Sequence, residues 1–407
     1  MLPTLDQLEM AGKRVLVRAD LNVPLTEDGV SDPARIKAAA PTIQEVIERG
    51  GKPVVMSHLG KPKGDRDPSL SLNRVRGVLS EALNGANVCF AKSIAAAGEL
   101  ARNLKPGEVI LLENLRFDAG EKGNDAGFAH RLAGIGDVYV NDAFSAAHRA
   151  HASIVGVPKH LPSAAGRLME REISSLEKHL GKPERPVMAI LGGAKVSTKF
   201  GLLRVLVGRV DCVALAGGLA NTLLAAEGKA VGRSIHDADA IDEAKAIRKA
   251  AEEAGCEILL PTDAVVAKEM KDDAPTEVVS IDAVSEDAMI LDIGPESATR
   301  IAEHIADMRT LVWNGPLGAA EYPAFSRATE KVAKMIADRT RTGDLVSIVG
   351  GGDTNAAVER AGVLDDFTYV SLAGGAFLQW IEGRDLPGLV ALGAARDGSR
   401  KMDQRKG

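Results

Sequence analysis

The sequence has little cysteine, no long apolar segment and no targeting signal. Its three cysteines, Cys89, Cys212 and Cys256, are far apart in apolar surroundings. They therefore predict neither a disulfide framework nor a metal cluster and are typical of a reducing cytoplasm. The N-terminus lacks the basic and apolar pattern of a signal peptide. The apolar stretch 213–226 is interrupted by two glycines and an asparagine, so neither a membrane span nor a membrane partner is expected.

An excess of positive charge is also missing. The formal net charge of −6 argues against nucleic-acid binding. The charge is uneven, because residues 1–166 carry 20 basic and 19 acidic side chains whereas the remainder carries 30 and 37. Five of the eight histidines also lie in the first stretch. A relatively basic first half suits a small acidic ligand, although an uneven surface composition explains the same counts.

Strand-like and helical patterns alternate along the whole chain of 407 residues. Apolar runs that predict buried strands fall at residues 14–18, 53–57, 87–90, 109–112 and 137–140, and then at 187–191, 212–215, 257–260, 310–313, 345–349 and 368–370. Helical patterns lie between them, for example at 35–48 and 72–83. Repeated β-α-β units over this length predict an α/β protein with two doubly wound, Rossmann-like parallel-sheet domains.

An amphipathic pattern at residues 168–180, followed by Gly181-Lys182-Pro183, predicts a helix and a break between the domains. We therefore expect a first domain at 1–167, a hinge helix and linker at 168–183 and a second domain at 184–388. A C-terminal tail at 389–407 is expected to pack near the first domain. Since no apolar heptad demands a partner chain, a monomer is expected.

One turn is especially informative about function. Gly350-Gly351-Gly352-Asp353-Thr354 directly follows the apolar run 345–349 and precedes a helical pattern. Glycines at such a strand-to-helix turn let backbone N–H groups approach a phosphate, and the helix N-terminus favours the anion. An adjacent aspartate can hold the Mg²⁺ that accompanies a nucleotide. Glycine-rich turns also end strands for steric reasons alone, so this motif is not decisive by itself.

Basic and polar side chains follow the predicted strands of the first half, where an open α/β sheet binds its ligands. They are Asp20 and Asn22 after the first strand, His58 and Lys61 after the second, Arg116 after residues 109–112, and His148, Arg149 and His151 after residues 137–140. Each loop alone is compatible with a solvated turn, and Arg35 alone is an ordinary helix-start arginine. Together they predict a pocket for a small phosphorylated acid, because guanidinium groups bind carboxylate and phosphate bidentately.

Glycines follow the predicted strands of the second half. They are Gly192 and Gly193 before Lys195 and Lys199, Gly217 and Gly218, Gly315 between Asn314 and Glu321, Gly350 to Gly352, and Gly374 with Gly375. Lys195 and Lys199 are four residues apart, which predicts that both lie on one side of a first helical turn. Lysines at a helix start oppose its dipole unless an anion is bound. A nucleotide site explains the set, whereas sterically required turns and solvated lysines explain each loop singly.

These motifs occur in an order that resembles the phosphoglycerate kinase family. The resemblance covers essentially the whole chain and is carried by residues 18–24, 57–62, 111–117, 141–151, 191–199, 292–295, 313–318, 350–354 and 386–388. It implies a phosphotransferase that acts in glycolysis and gluconeogenesis, with a carboxyl group as acceptor. The implied reaction is reversible phosphoryl transfer from 1,3-bisphosphoglycerate to ADP, which gives 3-phosphoglycerate and ATP. Mg²⁺ is the implied cofactor.

The resemblance also implies roles for individual residues. Substrate-binding positions match Asp20, Asn22, Arg35, His58, Lys61, Arg116 and Arg149. Nucleotide-binding positions match Lys195, Lys199, Asn314, Glu321, Gly350, Gly351, Gly352, Asp353 and Thr354, with Asp353 as the metal ligand. The close-approach turn at Gly217 and Gly218 is expected to belong to the same nucleotide-binding site. Catalytic positions match Arg35, Lys195 and Lys199, which would neutralise the transferring group, together with backbone N–H groups at Gly374 and Gly375.

Two departures from the family pattern stand out. Lys61 occupies a position where the family usually has arginine, so the charge is kept but the planar fork is lost. In the late loop, Leu372, Ala373 and Phe377 replace the usual threonine, third glycine and serine. Gly374 and Gly375 remain, so we expect the helix start that faces the phosphoryl group to be intact.

Direct in-line transfer, without a phosphoenzyme, is the expected mechanism, because phosphoryl transfer needs positioning and charge neutralisation more than covalent chemistry. The acid pocket and the nucleotide site lie on different predicted domains, so closure about the 168–180 helix is expected. Two other classes compete. A Rossmann dehydrogenase would require a G-x-G-x-x-G turn near the N-terminus, which is absent. A non-catalytic binding protein would explain the basic pocket but not the Lys195–Lys199 pair or Asp353.

Overall fold

The computed structural model describes residues 2–63 and 66–393. This part of the chain forms two compact units, one of residues 2–174 with 384–393 and the other of residues 175–383. Most of the predicted tail lies outside the described residues, and the functions assigned to the segments stay predictions. None of the helices in the described ranges combines the length and apolar character that crossing a bilayer requires.

A six-stranded parallel sheet forms the centre of the first unit, with strand order β5-β6-β4-β1-β7-β8. The strands of this unit, including the hairpin β2–β3, are β1 Arg14–Arg18, β2 Leu25–Thr26, β3 Gly29–Val30, β4 Lys52–Met56, β5 Val88–Ala91, β6 Val109–Leu112, β7 Val138–Asn141 and β8 Ser163–Ala165. Its helices are α1 Ala34–Glu48, α2 Arg76–Ala82, α3 Ile94–Arg102, α4 Ala119–Lys122 and α5 Ala126–Ala133, and helix α6, Arg167–Leu180, crosses the division between the units. Short 3₁₀ turns lie at Leu5–Gln7, Pro68–Leu70, Leu72–Val75, Leu115–Phe117, Phe144–Ala146 and Val157–Lys159, and a π turn at Ala152–Gly156.

The second unit contains another six-stranded parallel sheet, with strand order β11-β10-β9-β15-β16-β17. The strands of the unit are β9 Val187–Leu191, β10 Cys212–Leu215, β11 Glu257–Leu259, β12 Asp263–Ala267, β13 Glu277–Ser280, β14 Met289–Ile293, β15 Thr310–Asn314, β16 Val346–Gly350 and β17 Tyr369–Ser371. Its helices are α7 Ser197–Leu206, α8 Gly217–Ala226, α9 Ile241–Ala254, α10 Pro295–Asp307, α11 Arg327–Arg341, α12 Gly352–Arg360 and α13 Gly375–Ile381, and α14, Pro387–Ala391, belongs to the first unit. Short 3₁₀ turns lie at Ala238–Ala240, Ile281–Ala283, Pro323–Phe325 and Leu364–Asp366.

The predicted fold class is confirmed, and all eleven predicted strands are present with ends shifted by no more than one residue. The sequence patterns missed a three-stranded antiparallel sheet, β13-β12-β14. Strand β13 is largely exposed and lacks the continuous apolar run of a buried parallel strand, whereas β12 and β14 are mostly buried. The predicted helix at 72–83 begins as a 3₁₀ turn and becomes α-helical only at Arg76.

The core of the first unit shows why these segments adopt these structures. Strand β1 buries four of its five residues, as expected for an interior parallel strand. Helix α1 places Ile36, Ile43 and Val46 on one stripe, which packs in the same cluster as Val15 and Val17 of β1. Burying each such side chain contributes about 1.5–3 kcal/mol. The amphipathic pattern of α1 therefore fixes this helix on the sheet.

A buried aspartate holds the first turn of α6. Asp142 follows β7 and is fully buried, and its Oδ1 accepts hydrogen bonds from the backbone N–H groups of Leu168 (2.9 Å) and Met169 (3.2 Å). Gly166 lies so close that a Cβ there would be 2.2 Å from the same oxygen. Burial raises the pKa of Asp142 to about 7, although hydrogen bonds from its neighbours favour the charged form.

We predict that Asp142→Asn removes part of the pH dependence of stability. The pKa of Asp142 is raised above the unfolded value of about 3.9, so the folded state binds the proton more tightly. Its stabilising contribution is complete below the unfolded pKa and is lost as pH rises through about 7. The free energy of unfolding of the wild type, relative to the variant, should fall by about 2.5 kcal/mol between about pH 5 and pH 7.5.

Urea unfolding followed by circular dichroism at both pH values measures this difference. Comparing the two proteins cancels the contribution of other buried groups, such as Asp292, whose pKa burial raises to about 8. Parallel curves for wild type and variant would contradict the prediction.

Candidate functional site

The strand ends of the first unit lie in one row. Arg18 of β1 is in register with Met56 of β4 and with Asn141 of β7. The segments that follow these residues carry Asp20, His58 and the 142–151 loop. Parallel pairing therefore gathers the predicted acid-binding residues at the carboxyl edge of one sheet, where ligands of open α/β sheets bind.

Asp20 anchors Arg35 at this edge. Asp20 is 4% exposed, and its Oδ2 accepts hydrogen bonds from Nη1 of Arg35 at 3.0 Å and from the hydroxyl of Ser145. Nη1 of Arg35 also donates to the backbone carbonyl of Asn22 at 3.1 Å. Burial opposes ionisation of Asp20, but the charge of Arg35 and the hydrogen bonds keep its pKa below the usual value. The Arg35 side chain, 30% exposed, is thus held in place without being buried.

Asn22 and Arg116 both contact Gly60, from different loops. Oδ1 of Asn22 accepts the backbone N–H of Gly60 at 2.7 Å, and Nη1 of Arg116 donates to its carbonyl at 2.6 Å. Arg116 is 7% exposed, and its Nε is buried without a hydrogen-bond partner. Burial, together with the charges of Arg149 and Arg18, lowers the pKa of Arg116 to about 10. Lys61 follows this turn as an exposed side chain.

Three histidines of this edge are held neutral. Burial first, and then the positive charge of Arg149, lowers the pKa of His148 to about 4. Burial and the charges of Arg116, Arg149 and Arg18 lower the pKa of His151 to about 4 as well. The same kind of environment holds the pKa of His58 well below its usual value. Arginines that lower the pKa of neighbouring basic groups in this way indicate a site where a bound anion would reduce the repulsion between positive charges.

In the second unit, the strand ends also lie in one row. Leu191 of β9 pairs with Leu215 of β10 and with Asn314 of β15, which pairs with Gly350 of β16, which pairs with Ser371 of β17. Each predicted glycine-bearing loop starts immediately after one of these residues or close to it. The structure therefore brings all five loops to one edge of the sheet.

These loops touch backbone to backbone, which is why they contain glycine. A Cβ on Gly192 would be 1.9 Å from the carbonyl oxygen of Pro316, and a Cβ on Gly217 would be 2.6 Å from that of Gly193. Gly217 also has a φ of +58°, which other residues adopt only at a cost. The steric explanation for these two glycines is therefore correct, and it does not exclude a bound phosphate.

Lys195 and Lys199 are placed differently from the prediction. Helix α7 begins at Ser197, so Lys195 precedes the helix and is exposed, whereas Lys199 is 7% exposed. The two lysines therefore do not share a first helical turn. Nζ of Lys199 donates to the carbonyls of Gly192 and Asn314, the latter at 3.2 Å. Burial, with the charge of Lys195, lowers the pKa of Lys199 to about 8, while Asp353 opposes the shift.

Asn314 and Thr354 join neighbouring loops. Nδ2 of Asn314 donates to the carbonyl of Gly350 at 2.6 Å, and the hydroxyl of Thr354 accepts the backbone N–H of Gly315 at 2.7 Å. Both side chains are buried, and neither lines the cavity described below. The two side chains therefore tie together the loops that follow β15 and β16, and their assignment to the nucleotide site stays a prediction.

The phosphate-loop candidate and the late loop pack on each other. Gly351 has a φ of +105°, and helix α12 begins at Gly352. Phe377 of α13, one of the departures from the family pattern, is fully buried, and its ring would be 2.8 Å from a Cβ on Gly350. Gly374 precedes α13 with a φ of +51°, and a Cβ there would meet nothing. The phenylalanine thus fills the space behind the glycine loop.

A cavity of about 500 Å³ opens at this edge of the second unit. Of the predicted nucleotide residues, Gly217, Gly218, Glu321 and Asp353 line it. Apolar side chains form much of its wall, and these were not predicted: Ile235, Met270, Met289, Leu291, Leu317 and Ala356. Several come from or near the antiparallel sheet that the sequence patterns missed. The cavity has the size and the mixed lining of a site for a drug-sized ligand such as a nucleotide.

Sequence reasoning also missed buried polar residues behind the basic edge of the first unit. Arg18 is 1% exposed. Glu121 and Ser153 are fully buried and are joined by a hydrogen bond. Arg18 was recognised only as the last residue of a strand. Its position next to Asp20 was the one signal in the sequence, whereas nothing local distinguished Glu121 or Ser153 from surface residues.

Comparisons with known proteins agree with this geometry. Residues 5–384 match the sequence model of the family described as phosphoglycerate kinase. The phosphoglycerate kinase of Rhizobium meliloti is 55% identical over 394 residues, which cover 96% of this chain and 98% of that protein. That of Granulibacter bethesdensis is 52% identical over 393 residues, with coverage of 96% and 99%.

Solved structures give the same result at the level of the fold. Phosphoglycerate kinase from Coxiella burnetii is 38% identical with a TM-score of 0.82, and that from Pyrococcus horikoshii is 31% identical with a TM-score of 0.84. Each comparison covers 97% of this chain and 99% of the other. The family model and the relatives both span nearly the whole sequence, and the chain therefore belongs to the phosphoglycerate kinase family.

Proposed function

We propose that this enzyme transfers a phosphoryl group reversibly from 1,3-bisphosphoglycerate to ADP and so gives 3-phosphoglycerate and ATP. The observation that carries the proposal is the cluster of Arg35, Arg116 and Arg149 with neutral histidines at the carboxyl edge of the first sheet. Arg116, His148 and His151 all have pKa values lowered by burial and by neighbouring arginines. A small acid with a phosphate and a carboxylate supplies the negative charge that this edge lacks.

The acid pocket consists of Asp20, Asn22, Arg35, His58, Lys61, Arg116 and Arg149. Asp20 orients Arg35, and Asn22 orients the backbone of Gly60. The remaining polar atoms of Asp20 and Asn22 can hydrogen-bond to a substrate hydroxyl. Arg116 and Arg149 contribute positive charge for the distal phosphate. Lys61 supplies charge without the planar fork of arginine, so its hold on a phosphate is less directional.

The nucleotide site uses the glycine loops of the second sheet. Gly217 and Gly218 allow close approach of the ligand, Glu321 pairs with ribose hydroxyls, and the apolar wall covers the base. Burial lowers the pKa of Lys199 to about 8, so this side chain is still positively charged at neutral pH. The N-terminus of α12 and the turn at Gly350–Gly352 receive phosphate oxygens.

Mg²⁺ fits Asp353 as a ligand when the nucleotide is bound. Asp353 is exposed, lines the cavity and stands in the first turn of α12. The described residues contain no group of three or more acidic, histidine or cysteine side chains that could bind a metal alone. That is the expected pattern for Mg²⁺, which takes one or two carboxylates and completes its shell with phosphate and water. Bound there, it would neutralise charge on the phosphates.

Direct in-line transfer needs no general base, because the acceptor oxygens are anionic in both directions. Arg35 and Lys199, assisted by Lys195, neutralise the oxygens of the transferring group. Backbone N–H groups at Gly374 and Gly375 add dipoles that need no reorganisation. The acid pocket and the nucleotide cavity belong to different units, so closure about α6 must bring the ligands together and exclude water. We also infer a cytoplasmic monomer, as expected from the cysteine usage and the absence of apolar heptads.

We expect Arg35→Ala to lose about 10²–10³-fold in turnover, the usual cost of deleting one transition-state contact. Coupled reduction of the acyl phosphate formed from ATP and 3-phosphoglycerate measures the rate. Arg102→Ala, a change of an exposed arginine at the end of α3, is the matched control and should match the wild type. Incubation with γ-labelled ATP alone should leave the protein unlabelled. A labelled protein would refute direct transfer, and full activity of Arg35→Ala would refute its role.

The phosphate loop gives a second prediction. Gly352 opens α12, and a Cβ there would meet no protein atom, so Gly352→Ala should fold with unchanged or slightly higher stability. The methyl group would occupy space that a phosphate needs, so the KM for ATP should rise about 10-fold or more. Gly77→Ala, at another open helical position, should affect stability in the same direction and leave the KM for ATP unchanged. Unchanged ATP affinity of Gly352→Ala would place the phosphates elsewhere.

Closure predicts a change in overall size. Small-angle scattering should give a smaller radius of gyration with 3-phosphoglycerate and Mg²⁺–nucleotide together than with either ligand alone, because only both ligands stabilise the closed arrangement. The same data report the molecular mass and so test the monomer. Equal radii for the unliganded and doubly liganded protein would rule out closure of this kind.

A further inference from the structure

A buried chain of polar groups lies behind the acid pocket and ends at His58. Its members are Tyr139, Glu121, Ser153 and Arg18, all of which are at most 1% exposed. They come from β7, α4, the π turn and β1, so tertiary packing alone brings them together. Buried polar groups that satisfy one another in this way fix a single geometry.

The direction of each hydrogen bond in this chain is fixed by chemistry. The hydroxyl of Ser153 donates to Oε1 of Glu121 at 2.6 Å, because a carboxylate can only accept. The same hydroxyl oxygen accepts from Nε of Arg18 at 2.9 Å, because a guanidinium can only donate. The backbone N–H of Ser153 donates to Oε2 of Glu121 at 2.9 Å, and Tyr139 donates to the Ser153 carbonyl at 2.6 Å.

Arg18 also fixes the direction of its hydrogen bond to His58. Its Nη1 donates to the carbonyl of Ala19, and its Nη2 lies 3.0 Å from Nδ1 of His58. Since Nη2 can only donate, Nδ1 must carry the lone pair, and the proton of a neutral imidazole then resides on Nε2. Within the described residues, Nε2 of His58 has no hydrogen-bond partner, so its N–H is available to a ligand.

We propose that Ser153 and Glu121 are positioning residues that act through Arg18 to hold neutral His58 in the tautomer with the proton on Nε2. His58 then offers the acid ligand a hydrogen bond without adding another positive charge to a site that already contains Arg35, Arg116 and Arg149. Arg18 holds His58 from behind the pocket, because the arginine is 1% exposed and three of its five N–H groups donate within the protein.

The low pKa of His58 agrees with this arrangement. Burial is the main cause, and the charges of Arg18, Arg116 and Arg149 add to it, while Asp20 opposes them. A protonated His58 would place an N–H of the imidazolium against a donor of Arg18, which is repulsive. The arrangement therefore excludes both the imidazolium and the tautomer with the proton on Nδ1. The inference rests on the proposed function only for the identity of the ligand, because the tautomer is a property of the unliganded protein.

The experiment begins with the full-length wild type. Long-range ¹H–¹⁵N correlation spectra of histidine-labelled protein at neutral pH distinguish protonated from unprotonated ring nitrogens, and the spectrum of His58→Gln assigns the His58 signals. We expect an unprotonated Nδ1 and a protonated Nε2. A protonated Nδ1, whether neutral tautomer or imidazolium, would overturn the proposal.

Ser153→Ala tests the positioning role, because it removes both hydroxyl bonds and keeps the backbone N–H bond to Glu121. The His58 nitrogen shifts should move towards a mixture of tautomers, and the KM for 3-phosphoglycerate should rise about 2- to 10-fold with a smaller change in kcat. Ser80→Ala is the matched control, because it also removes a serine hydroxyl that donates a hydrogen bond, in this case to the backbone carbonyl of Ala86 at 2.8 Å. The control should leave the His58 shifts and the KM unchanged.

The outcomes separate this inference from the proposed function. Unchanged His58 shifts and KM in Ser153→Ala would overturn the positioning role. The expected tautomer and shifts in a protein that does not consume ATP with 3-phosphoglycerate would support the inference while refuting the proposed reaction. Shifts that move equally in Ser80→Ala would mean a general loosening of the unit and would overturn the specific role of Ser153.

Discussion

Parallel strand register is the constraint on which both sites depend. Hydrogen bonding between parallel strands fixes which residues lie side by side, and it aligns Arg18 with Met56 and Asn141 in one sheet. In the other sheet the same constraint aligns Asn314 with Gly350. Loops that are far apart in sequence must then start at one edge, because every strand of a parallel sheet points the same way. Shifting one strand by a residue would exchange its two faces and separate the side chains that these edges gather.

The carboxyl edges of the two sheets differ in the physical property that suits each to its ligand. The first concentrates positive charge: buried cations lower one another's pKa, and Asp20 and Glu121 are the carboxylates that partly compensate them. The second brings backbone close to backbone, so that loops can meet a ligand through N–H groups with few side chains in the way. Charge therefore suits the first edge to an acid, whereas shape and backbone dipoles suit the second to a nucleotide.

Of the departures from the family pattern, Phe377 is buried by packing and Lys61 is exposed. Phe377 is fully buried against Gly350, so its ring has become part of the support of the glycine loop. Lys61 stands on the surface of the turn that Asn22 and Arg116 hold. The chain is a phosphotransferase of the phosphoglycerate kinase family.

The sequence by itself determined the α/β class, the parallel strands and the loops that carry the chemistry, because apolar runs and glycine positions are local properties of the chain. Tertiary structure decided what each side chain does. Asn314 donates a hydrogen bond to Gly350 of the neighbouring strand, and Lys199 is buried while Lys195 is exposed. In the antiparallel sheet, β13 is largely exposed and leaves no continuous apolar run in the sequence, and the apolar wall of the cavity exists only once distant segments pack together. Glu121 and Ser153 were invisible to sequence reasoning because their hydrogen bonds and burial arise only when distant elements pack together.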